Sequence, residues 1–128
     1  MQALMMMRYY LDEILDGRKT TDARLRPTGV RGTVALGDSS TGKVHGLAEL
    51  VACEEISYEE FVRWHRTGPF ENTEFAPYQE GKPCYAYRFE NVRRITVPVA
   101  VPNPTGERVW VPLSEDTVRS FSFQRTLF

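Results

Sequence analysis

Apolar residues fall at every second position on both sides of one polar turn. Val30, Gly32, Val34 and Leu36 alternate up to Gly37-Asp38-Ser39-Ser40-Thr41-Gly42. Val44, Gly46, Ala48, Leu50 and Ala52 alternate beyond it. A period of two places one set of side chains on one face of a strand, and the Gly/Asp/Ser cluster between the runs is turn chemistry. The pair reads as two arms of a hairpin. The second arm is long enough to bend, with Gly46 as a bulge or barrel corner. Tyr85, Tyr87 and Phe89 alternate again, as do Ile95, Val97, Val99 and Val101. Pro98 and Pro102 demand an edge or an irregular position in that second run. Val109-Trp110-Val111 is placed to pair back across the turn Asn103-Pro104-Thr105-Gly106, and Phe121 and Phe123 suggest a final strand. A doubly wound α/β fold is excluded, because its crossover helices are missing. Short strands joined by Gly/Pro turns predict a mainly β chain with peripheral helices, closed or nearly closed into a barrel. Closure also hides strand edges.

Two segments have helical spacing. Leu4, Met7, Leu11, Ile14 and Leu15 recur every three or four residues, which predicts an opening helix stopped by Gly17 and flanked by Tyr9 and Tyr10. Ser57 and Glu60 have the capping-box spacing, so a short helix is expected over 58–66, ended by Gly68-Pro69. Residues 69–83 read as a long loop anchored by Phe70, Phe75 and Tyr78. Leu113 to Val118 fit a short turn or helix. With 128 residues, 1–128 is expected to be a single domain.

Sixteen Lys and Arg face 17 Asp and Glu. That near-balance excludes a uniformly basic nucleic-acid coating but leaves room for a local basic patch. Residues 49–80 carry two basic and eight acidic groups, while 1–31 carry six against four and 82–108 five against two. The middle is acidic between two modestly basic regions. Cys53 lies in the apolar run Leu50-Val51-Ala52-Cys53 and reads as a buried thiol, although pairing with Cys84 stays open. The apolar opening is far shorter than the roughly 20 residues that cross a bilayer. No membrane association and a reducing, cytoplasmic setting are the expectations.

The densest ionic segment follows Gly17. If Arg18 to Arg24 is extended, Arg18, Thr20, Asp22 and Arg24 face one way and Lys19 and Thr21 the other. If it turns, Lys19 and Asp22 converge. Lys19 has the chemistry of a phosphate contact or, with burial, of a base. Asp22 can orient that amine or accept from a nucleobase, and Arg24 can clamp a phosphate. The plainer reading is a solvated loop whose charges do little.

This segment, Gly17-Arg18-Lys19-Thr20-Thr21-Asp22-Ala23-Arg24, resembles the G-x-K-x-x-[E/D]-x-R signature of the ASCH family, whose fold resembles the PUA barrel. The order that follows is similar too: Arg31-Gly32-Thr33-Val34, the turn at 38–42, the strand with Gly46-Leu47-Ala48-Glu49-Leu50, the helix carrying His65, and Tyr85-Ala86-Tyr87-Arg88-Phe89 as a late closing strand. The resemblance covers roughly residues 8 to 101. It implies a PUA-like β-barrel with a cleft suited to RNA, a nucleotide or a modified nucleoside. Some ASCH-like proteins are ribonucleases. A small bacterial branch hydrolyses N4-acetylcytidine with a Lys, a Thr and a Glu. Lys19 matches that Lys, but the Thr position falls on Asp22 rather than Thr21, and a carboxylate is a poor substitute for a hydroxyl nucleophile. Glu71 and Glu74 match the Glu only by approximate location.

His45 can donate to a base or phosphate, or hold a structural hydrogen bond. His65 can act near neutral pH, or cap and pack its helix. Trp64, Phe70, Phe75 and Tyr78 can stack on a base or fill core. The histidines and cysteines lack metal-ligand spacing, so no metal and no cofactor are expected. The leading expectation is binding of RNA or a modified nucleotide, with Lys19 and Asp22 at its chemical centre and Arg24, His45, His65 and Tyr78 as ligand contacts. The alternatives are a hydrolase, either a ribonuclease or a modified-nucleoside amidohydrolase, and a protein-interaction adaptor working through loop 69–83.

Overall fold

A computed structural model of the chain describes residues 1–65, 83–101 and 109–123. Loop 69–83 up to residue 82, with Tyr78, Phe70, Phe75, Glu71 and Glu74, and the turn at 103–106 lie outside the described residues, as do the side chains of Trp64 and His65. The elements run β1 (Gln2–Met6), α1 (Arg8–Leu15), β2 (Thr21–Arg24), β3 (Gly32–Asp38), β4 (Lys43–Ile56), α2 (Tyr58–His65), β5 (Cys84–Ala100), β6 (Trp110–Pro112) and α3 (Glu115–Arg119).

All six strands form one sheet in the order β2-β5-β4-β3-β1-β6. The β1–β3 pairing is parallel and the others are antiparallel. The sheet curls, because groups far apart in that order touch. Arg24 of β2 donates from Nη2 to the Met5 carbonyl of β1 at 3.0 Å. Tyr87 of β5 stacks on Trp110 of β6, with ring centroids 6.4 Å apart and planes 19° apart. The architecture is a single curled sheet with peripheral helices.

The β3–β4 hairpin forms as the alternation predicts, with Val34 opposite Ala48 and Leu36 opposite Gly46. The β4–β5 register shifts between Val44 and Gly46. Gly46 is required there: a Cβ would lie 2.6 Å from the Arg93 carbonyl oxygen and 2.5 Å from Leu15 Cδ2. The same irregularity explains Pro98. Arg94 pairs with Gly46 and Val99 with Val44, so residues 95–98 bow out of the β4 ladder, and a proline there removes no ladder hydrogen bond. The two late strands expected separately are therefore one long bent β5.

Other expectations change. Residues 2–6 are a strand, not the start of a helix. Leu4 and Met6 pack into the barrel interior, while Ala3 and Met5 pack on the opposite face. A strand buried on both faces reads as a continuous apolar run, in which helical spacing arises by chance. The helix begins only at Arg8, and Met7 is exposed as its N-cap. Val109-Trp110-Val111, likewise, does not pair back on residues 95–101. Its β6 lies antiparallel to β1, with Val111 opposite Ala3.

The interior cluster contains Leu4, Met6, Val34, Leu36, Ala48, Leu50, Tyr87 and Phe89, and α1 adds Leu11, Ile14 and Leu15. The other face of β1, β3 and β4 packs with Ile95, Val101 and Leu113, beside Val118 of α3 and Phe121. The capping box forms at α2, where the Glu60 amide donates to Ser57 Oγ at 3.1 Å. Phe61 then buries against Ile56, Cys84 and Ala86. Both cysteines are free. Cys84 is fully buried, whereas Cys53 is only half-buried, a correction to the expected buried thiol. Cys53 faces Tyr87 and Cys84 faces Ile56 in the ladder, so they occupy different rungs. Phe123 makes an isolated bridge to Ile95 rather than a full strand.

Candidate functional site

The site segment is shaped by how α1 ends. Gly17, with φ +80°, takes the left-handed conformation that glycine adopts without strain. Its amide donates to the Ile14 carbonyl at 3.1 Å, and the amides of Arg18 and Lys19 both donate to the Glu13 carbonyl at 2.9 and 3.0 Å. The chain folds back on α1, and the Lys19 ammonium lies 5.3 Å from the centroid of the Tyr10 ring. A cation over an aromatic face is held by the ring quadrupole. Tyr9 meets Tyr10 edge-on at 5.5 Å.

From Thr21 the chain is extended. Asp22 pairs with Tyr87 and Arg24 with Tyr85 along β5, so Asp22 and Arg24 share a face. Asp22 is buried, and its Oδ2 accepts from Arg24 Nε at 2.5 Å. Arg24 also holds the Met5 carbonyl. Burial pushes the Tyr10 hydroxyl above the ordinary tyrosine value, and the Asp22 charge pushes the same way. Tyr87 is raised chiefly by burial, with Asp22 adding. Its hydroxyl donates to the Arg26 carbonyl at 2.6 Å. The Asp22 charge thus acts on two tyrosines, one of which carries the Lys19 ammonium.

Neither of the two geometries considered for residues 18–24 holds over the whole segment. Lys19 lies in the turn and Asp22 and Arg24 in the strand. Asp22 binds Arg24, while Lys19 is held by Tyr10. Arg18 leaves this group for Glu13 and Asp16, at 3.0 and 2.9 Å. Arg94 also pairs with Asp16, and Arg93 lies over Phe123.

His45 belongs to another cluster. Its Nε2 lies 3.3 Å from Arg8 Nη1, and Arg8 also reaches Asp38 Oδ2 at 3.5 Å and Asp12 Oδ1 at 3.0 Å. His65 ends α2. Sequence reasoning named Tyr10 as a flanking residue of α1 and Trp110 as part of a strand face, and gave neither a place in the site. The signal for Tyr10 was its position on the helix that leads into Lys19. Nothing local marks Trp110, because its partner Tyr87 arrives through the curl of the sheet. Among the described residues no cluster of His, Cys, Asp or Glu could hold a metal ion, and no helix is long and apolar enough to cross a membrane.

No protein-family model matches the chain, and no curated protein matches it. Solved structures do match. The crystal structure of ASCH from Zymomonas mobilis superposes with a TM-score of 0.71 at 17% identity, covering 95% of this chain and 96% of that one. A mutant form of the same protein gives 0.68 at 17% identity, covering 92% and 91%. The N-terminal domain of Staphylothermus marinus McrB gives 0.60 at 11% identity, covering 92% and 90%. With this strand order and this curl, the chain has the ASCH-domain fold, a PUA-like β-barrel.

Proposed function

We propose that this chain binds RNA or a modified nucleotide at the group formed by Tyr10, Lys19, Asp22 and Arg24. The observation that carries this reading is the Lys19 ammonium over the Tyr10 ring, in the same segment as the part-buried Asp22–Arg24 pair. An ammonium attracts a phosphate, an aromatic surface suits a base, and a fixed carboxylate accepts from a base amine. Arg24 sets the direction of the Asp22 carboxylate and adds positive charge behind it. Likeness in fold to ASCH proteins supports a nucleic-acid ligand by analogy.

The test is fluorescence polarisation with a labelled single-stranded RNA over a salt series, alongside calorimetry with cytidine monophosphate and N4-acetylcytidine. Lys19→Ala is expected to weaken binding and to lower the salt slope by about one. Binding and salt slope both unchanged in Lys19→Ala would overturn the reading. Chromatography of the same mixtures looks for hydrolysis, and product that disappears with Lys19→Ala would make the protein a hydrolase instead.

A further inference from the structure

The charged cluster around His45 takes no part in the proposed binding. His45 lies half-buried on β4. Arg8, the first residue of α1, directs Nη1 toward His45 Nε2 at 3.3 Å and toward Asp38 Oδ2 of β3 at 3.5 Å. Its Nε binds Asp12. The charges that face the imidazole are Arg8 and Asp12 from α1, Asp38 from β3 and Arg94 from β5. Asp38 is fixed independently by the Ser40 amide and hydroxyl, at 2.8 and 2.7 Å.

A guanidinium has donors only. The Arg8–His45 contact therefore requires a lone pair on Nε2, so the imidazole is neutral with its proton on Nδ1. A proton on Nε2 turns a donor–acceptor contact into two cations meeting donor to donor. We propose that proton uptake by His45 releases Arg8 and loosens the first turn of α1 from the β3–β4 hairpin, which makes this contact an acid-sensitive clasp.

Burial holds His45 below the ordinary histidine value, and the Arg8 charge does the same. Asp38 and Asp12 pull the other way and Arg94 adds to the lowering. The sign follows. With the clasp open, His45 protonates nearer its ordinary value of about 6.5; with it closed, only at lower pH. The clasp is fully in place above that value and weakens as the pH falls from it toward the depressed value.

The experiment is an NMR titration of the His45 ring between pH 8 and 5, where carboxylates stay ionised, with amide exchange of Leu11 followed in the same range. The Leu11 amide donates to the Met7 carbonyl at 3.0 Å and reports the first turn. The expected His45 midpoint is below about 6.5 and moves up in Arg8→Gln. The Leu11 opening constant, corrected for intrinsic exchange, rises on acidification by up to about tenfold per pH unit, the limit for one linked proton. In His45→Gln, which stays neutral, that rise disappears. A His45 midpoint that Arg8→Gln leaves unmoved would overturn the clasp, and so would a rise that persists in His45→Gln. Should His45→Gln fail to fold, the midpoint in Arg8→Gln, altered at an exposed side chain, decides alone.

Discussion

Two carboxylate–guanidinium pairs lie at and after α1, and they differ in what surrounds the cation. After the helix, the Asp22 and Arg24 side chains are 9% and 19% exposed. At its first turn, the Asp38 side chain is 2% exposed but Arg8 is 48% exposed. Attraction between opposite charges acts in both. The difference lies in what is left when one partner goes. Arg24 sits at the seam where the curled sheet meets itself, with little water to take over from Asp22. Arg8 can turn outward, and Asp38 keeps its bonds from Ser40. The same two residue types therefore make a fixed strut in one place and a releasable clasp in the other.

The largest expected effect tests the strut. Asp22→Ala takes the carboxylate away from a part-buried guanidinium, which costs up to about 3–5 kcal/mol. Urea unfolding measures it, and a loss under about 1 kcal/mol would make the two pairs equivalent. Next comes Gly46→Ala, on the strand beside His45. Its Cβ meets the Arg93 carbonyl and Leu15, so about 1–3 kcal/mol of destabilisation is expected from overpacking. A neutral result there would mean that β5 and α1 yield easily, against the close approach that leaves no room for a side chain at Gly46. Arg8→Gln is expected to cost less than about 1 kcal/mol, as for other exposed ion pairs, and a larger loss in the same unfolding assay would erase the contrast.

The smallest effect is in pH. Burial opposes ionisation of Asp38, but the bonds from the Ser40 hydroxyl and amide, and then from Arg8, outweigh it and hold the carboxyl below its ordinary value. Its stabilisation is present above about pH 4 and is lost as the pH falls through the lower folded value. In Arg8→Gln that acid loss should shrink only slightly, because Ser40 supplies most of the effect. Acid titration of the unfolding midpoint in the two proteins checks this.

Much of the fold was legible because strands that border solvent alternate visibly. The β3–β4 hairpin, the bulge at Gly46, the Ser57–Glu60 cap and the stop at Gly17 all follow from local chemistry. Residues 2–6 were not legible as a strand. A strand buried on both faces has no polar side to reveal its period, and its parallel partner β3 lies some 30 residues away in the chain. For the candidate site, the motif placed Lys19, Asp22 and Arg24 near one another, but spacing alone could not assign partners. Asp22 binds Arg24 because both point inward from one strand. Lys19 meets Tyr10 because the turn after Gly17 folds it back over α1.

The sequence by itself determined a small, nearly neutral, mainly β domain with a basic motif after its first helix. Those properties depend on composition, periodicity and turn chemistry, which act over a few residues. Only the tertiary structure decided which charges are struts and which can let go. Burial depends on chain segments brought together from afar. The Met5 carbonyl that anchors Arg24 lies at the far side of the curl, and the imidazole that receives Arg8 lies on the second arm of a hairpin. Charge is written in the residues, but the water available to each charge is set by the closing of the barrel.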